Sequence, residues 1–173
     1  MIVKDHGFPK GEYLILENVH EDYQPYARGL IVWHVDNGMY DIENPDNPIV
    51  YNELDGYPGL VNMYGSWPEN GYHYRVAVLQ ADGNYDLEHG YNEGDPYDVY
   101  SKCWIDEINP SRSSGEAGPY PNTDAYQHGN VLNTGVRIHD VGLPSDRLTF
   151  AVDFDSSYEA SRRKLTKELL PRW

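Results

Sequence analysis

The chain has 173 residues, 28 of them acidic and 13 basic, for a net charge of −15. A surface that negative argues against nucleic acid and anionic membranes as partners. No apolar run approaches the roughly 20 residues of a membrane helix, so no membrane insertion is expected. The length suits one domain with room for a sizeable core.

Cys103 is the single cysteine, so no disulfide can close within the chain and compartment is not legible from cysteines. Beside Trp104 and Ile105 it reads as a small buried apolar residue. Residues 1–5 do not read as a signal peptide, because Asp5, His6 and Lys10 interrupt any apolar core. Sixteen Tyr and four Trp supply broad amphipathic side chains suited to β-structure.

Taken in order, residues 11–19 (GEYLILENV) form the first expected strand, with both faces largely covered. Residues 29–36 (GLIVWHVD) form the second, dense enough in apolar residues to be central. Residues 37–72 carry Pro45, Pro48, Pro58 and Pro68 and read as a long irregular segment. Tyr40, Tyr51, Tyr57, Tyr64 and Trp67 are placed to pin it to the body. With Tyr72 and Tyr74 they are better read as covering residues than as a platform for stacking a glycan. The third strand spans 73–81, and a short strand is expected over 101–108. Val136, Ile138 and Val141 alternate within 131–141, and Leu148, Phe150, Val152 and Phe154 within 148–154. These last two strands read as a hairpin closing a sheet edge.

The tail differs. Ser156 followed by Glu159 has capping-box spacing, and residues 158–170 read as a helix stopped by Pro171. Tyr158, Leu165 and Leu169 give it a thin apolar stripe, and Arg162, Arg163, Lys164, Lys167 and Arg172 make it basic. The expected fold is therefore all-β, with sandwich-like antiparallel sheets, long loops and one C-terminal helix. A β-rich domain covers 1–155 and a helical tail 156–173.

The stretch after the third strand carries the chemistry. Asp82, Asp86, Glu88, Glu93, Asp95 and Asp98 lie in a span without a Lys or Arg between Arg75 and Lys102. Six carboxylates that close repel one another unless they are solvated or bind a cation. Asp82, Asn84, Asp86 and Glu93 stand at positions 1, 3, 5 and 12 of a calcium-loop spacing. Leu87 occupies the position an EF-hand reserves for Gly, so this is calcium-type chemistry outside that motif. The expected metal set is Asp82, Asn84, Asp86, Glu88, Glu93, Asp95 and Asp98, with Ca2+ as the ion.

Other candidates are weaker. His34 and Asp36 share a strand face; local hydrogen bonding at a strand end is the expected role, and a metal site with a third ligand such as His73 the alternative. Glu12 and Glu17 would need to stand about 5–9.5 Å apart across a sugar to act as a glycosidase pair. Cys103 reads as core rather than as a nucleophile.

In their order, GEYLILEN, GLIVWHVD, VAVLQADGNYDLE with a downstream NEGDPYD, NTGVRIHDV and LTFAVDF resemble the immune-inhibitor-A family of secreted zinc metallopeptidases. The similar part follows that family's catalytic zinc motif and covers roughly residues 11–154. The resemblance implies export, an acidic calcium-type loop at Asp82 to Asp98, and a β-rich region packed against a peptidase domain or other subunits of the same protein. The family's His-Glu-x-x-His pairs two zinc ligands with a general base, and this sequence lacks it. No catalytic residue and no zinc site are therefore assigned, and the chain alone is expected to be inactive. The alternative is a free-standing extracellular module that binds glycan or joins an assembly.

Overall fold

The computed structural model describes residues 1–4, 7–20, 27–37, 76–84, 86–92, 94–110, 121–126, 132–154 and 165–169. Among the described residues, seven strands lie in two antiparallel sheets. The first sheet runs β1 (Ile2–Val3), β2 (Glu12–Val19), β3 (Gly29–Asp36) and β4 (Val76–Val78), in that order. The second runs β5 (Val136–His139), β6 (Leu148–Phe154) and β7 (Leu165–Leu169).

Register decides which residues meet. Leu14 pairs with His34 and Leu16 with Val32 across β2 and β3, and alternation turns all four to one side. Val3 and Ala77 join that side from the flanking strands. Leu14, Leu16, Leu30 and Val32 form one core cluster with Val136, Ile138, Leu148, Phe150, Val152 and Phe154 of the second sheet. A shared core between two antiparallel sheets is the sandwich arrangement expected from the sequence.

Several differences from the sequence reading have physical causes. Ile2–Val3 is a strand too short to show a period, and its pairing with Ile15 and Leu14 makes it one. Where helix was expected, Leu165–Leu169 is a strand that pairs with Leu148–Val152. The free backbone edge of β6 offers a full ladder there, and tertiary pairing outweighs a weak local helical stripe. The rest of the 158–170 segment lies outside the described residues. As a result β6 is central among the described strands instead of closing an edge.

Residues 101–108 hold no strand. Trp104 N–H donates to the Ser101 carbonyl and Ser101 N–H to the Ile105 carbonyl, which folds the segment into turns. Ile108 alone bridges, to Ile138. Cys103, expected in the core, is exposed, as are Trp104 and Ile105. The single turn α1 (Asp86–His89) also interrupts a stretch read as loop. The long segment between β3 and β4, with its aromatic residues, lies outside the described residues from 38 to 75.

Candidate metal centre

The acidic stretch is anchored on β3. Leu79 N–H donates to the Val32 carbonyl at 2.8 Å, continuing the ladder beyond β4. Further along β3, Leu30 and Tyr100 exchange both backbone hydrogen bonds at 2.9 Å. This approach is close: a Cβ on Gly29 would stand 2.6 Å from the Tyr100 carbonyl oxygen, so only glycine fits. Two chain segments thus rise beside one strand, and Ala81 N–H joins them by donating to the Asp98 carbonyl at 3.1 Å.

That closure brings three carboxylates together. Asp82, Asp95 and Asp98 each offer an oxygen, and these oxygens lie within 4.8 Å of one another. Asp98 is only 5% exposed. Its Oδ2 accepts the Asp95 N–H at 2.7 Å. Its Oδ1 is buried and has no hydrogen-bond partner among the described residues. Burial pushes the Asp98 carboxyl up to about 6. The Asp95 backbone hydrogen bond opposes the rise, and the charges of Asp95, Asp82 and Asp86 add to it. Tyr100, fully buried, also has a hydroxyl with no partner among the described residues. Burial first, then the Asp82 charge, drives its phenol well above the usual range.

The remaining predicted ligands are placed differently. Asn84 donates its backbone N–H to Asp82 Oδ1 at 3.0 Å and its side-chain amide to Oδ2 at 2.8 Å, holding that carboxylate. Asp86 accepts from the Asn92 amide at 3.2 Å and acts on Asp98 through its charge. Glu88 stands on α1 with its side chain outside the described part, and Glu93 lies outside the described residues. Among the described residues the cluster joins Asp82 with Asp95 and Asp98, all three in the predicted set. Asn92, absent from the predicted set, bridges Asp86 and Asp95, with 3.4 Å to the latter. Its own Oδ1 accepts the Gly94 N–H at 2.9 Å, closing the turn before Asp95. An Asn two residues before a Gly in an acidic loop is the signal that was available for it.

His34 meets a carboxylate inside the first sheet. Its Nε2 lies 2.7 Å from Glu12 Oε1, which also accepts the Tyr126 N–H at 2.7 Å. Both side chains are buried. Asp36, buried, pairs with Glu12 in register. No group of three candidate ligands among the described residues includes His34, and His73 lies outside them. Glu12 and Glu17 stand five apart on one strand and face opposite sides. Glu12 is buried, whereas Glu17 is exposed and accepts from Trp33 Nε1 at 2.9 Å, so they form no glycosidase pair. At the rim of the acidic cluster Tyr97 donates its N–H to Asp95 Oδ1 at 2.7 Å, and its ring meets Trp104 edge-on at 5.3 Å.

No helix in the described residues is long and apolar enough to cross a membrane. A scan against protein-family models finds no match, and no curated protein or solved structure matches this chain significantly.

Proposed function

We propose that this chain is a non-catalytic, calcium-stabilised β-domain of an exported metallopeptidase of the immune-inhibitor-A type, and that it supports the peptidase domain. The observation that carries the reading is the buried Asp98 oxygen without a partner, set among the carboxylates of Asp82 and Asp95. A carboxylate held that way is costly unless a cation completes it. The donor set is all oxygen, which suits a hard cation such as Ca2+; zinc sites draw mainly on Cys and His. Asp82, Asp95 and Asp98 would hold the ion, whose charge would offset their mutual repulsion. The order of motifs across residues 11–154 supports the family, and the missing His-Glu-x-x-His supports a supporting role.

Calcium bound only by the folded form stabilises it by about 2.7 kcal/mol at a hundredfold excess over Kd. For a chain of this size that is roughly 5–10 °C in Tm. Chelation is expected to lower the melt by that amount, and Asp82→Ala with Asp95→Ala to remove the sensitivity. A melt unchanged by chelation rejects the ion. The purified chain is expected to cleave no peptide with added zinc; cleavage that scales with zinc occupancy rejects the supporting role.

A further inference from the structure

The rim of the acidic cluster carries aromatic surface that the fold leaves open. Tyr97 is 53% and Trp104 48% exposed. Backbone contacts fix where both rings stand. Tyr97 lies two residues beyond Asp95, and its N–H meets Asp95 Oδ1 at 2.7 Å. Trp104 N–H donates to the Ser101 carbonyl at 3.1 Å, and that turn sets the Trp104 ring edge-on to Tyr97. An edge-on pair uses one face of one ring and leaves the other faces free to stack.

The ion site beside them is incomplete by coordination number. Calcium takes about six to eight oxygens, and three carboxylates offer between three and six. Asp98 is buried, whereas Asp82 and Asp95 are half-exposed, so the remaining positions are reached from the surface. Tyr97 rises from the same turn as Asp95.

Charge selects the class of ligand. Between residues 95 and 107, Asp95, Asp98, Asp106 and Glu107 stand against one base, Lys102. Asp106 and Glu107 are exposed beside Trp104 and Ile105. A phosphate, a carboxylate or an anionic bilayer meets repulsion there. A neutral sugar does not. Its adjacent hydroxyls are oxygen donors for a hard cation, and its C–H face packs on an aromatic ring.

We propose that this rim is a glycan site, in which the ion held by Asp82, Asp95 and Asp98 takes adjacent hydroxyls of a neutral sugar while Tyr97 and Trp104 stack on its apolar face. The inference rests on the calcium reading above and adds to it a ligand for the open positions.

Titration of the 173-residue chain with neutral tetrasaccharides of glucose, galactose and mannose, in calcium and in chelator, tests this. The Trp104 indole N–H resonance reports the contact, and calorimetry with calcium alone reports the ion. At least one sugar is expected to bind in calcium, and roughly tenfold more weakly in chelator. Tyr97→Ala keeps the N–H that meets Asp95, and Trp104 is no ion ligand. Tyr97→Ala and Trp104→Ala are therefore expected to take up calcium as the wild type does and to lose the sugar roughly tenfold. Calcium uptake with no sugar bound overturns the inference and leaves the ion. So does a sugar affinity unchanged by chelator or by Trp104→Ala. Absence of calcium uptake removes the calcium reading and the inference with it. Phosphatidylcholine vesicles run in parallel overturn the glycan assignment if they, and not the sugars, shift Trp104.

Discussion

Replacing Asp98 by Asn tests the site through the sign of its effect. In the ion-free protein Asp98 titrates at about 6, against 3.8 for a free carboxyl, with burial the largest cause. That rise is a penalty of about 3 kcal/mol on the ionised form. The folded state therefore binds the proton more tightly than the unfolded chain. Stability from this group is fully present below about pH 4 and is lost as pH rises towards 6 and beyond. Asn cannot ionise and escapes the loss, while its carbonyl oxygen still accepts the Asp95 N–H. In chelator, Asp98→Asn is expected to match the wild type near pH 4 and to exceed it by about 3 kcal/mol above pH 7. That is roughly 6–12 °C in Tm. In excess calcium the order reverses at pH 7, because the variant loses a ligand. Urea unfolding across pH 4 to 8, with chelator and with calcium, reads both arms. A difference between variant and wild type that stays flat with pH refutes the reasoning, as does a variant destabilised equally with and without calcium.

Three further changes probe the frame around the site. Glu12→Ala removes the carboxylate oxygen that meets His34 and accepts the Tyr126 N–H and is expected to cost about 1–3 kcal/mol in denaturant unfolding; Glu12→Gln, which keeps an acceptor oxygen, should cost markedly less. Gly29→Ala drives a Cβ to 2.6 Å from the Tyr100 carbonyl oxygen. It should destabilise by at least about 2 kcal/mol and weaken calcium binding, since Tyr100 and Asp98 are displaced together; unchanged affinity would uncouple the cluster from β3. Arg137→Ala removes an exposed pair with Glu107, whose carboxyl the Arg137 hydrogen bond holds below the usual range. Its cost should stay under about 1 kcal/mol, and a larger loss would mean that the pair does more than decorate the sheet edge.

The strongest strands were legible because their apolar runs are dense: residues 11–19, 29–36 and 148–154 read as strands before any pairing is known. What the sequence hides is what distant residues decide. Leu165–Leu169 looks helical until the open edge of β6 is present to pair with it. Cys103 looks buried beside Trp104 and Ile105 until hydrogen bonds between Ser101, Trp104 and Ile105 turn the segment outward. The acidic loop announced itself by charge, yet its spacing pointed to Asp82, Asn84, Asp86 and Glu93. The Ala81 to Asp98 hydrogen bond, across seventeen residues, brings Asp98 and Asp95 to Asp82, which no local spacing shows. Likewise nothing local pairs Glu12 with His34; cross-strand register sets it.

Isothermal titration of the chelated chain with calcium at pH 7 tests the central claim most directly. Saturable binding of one ion that disappears in Asp98→Asn is the predicted result. Heats indistinguishable from dilution, or a wild-type curve reproduced by the variant, would contradict it.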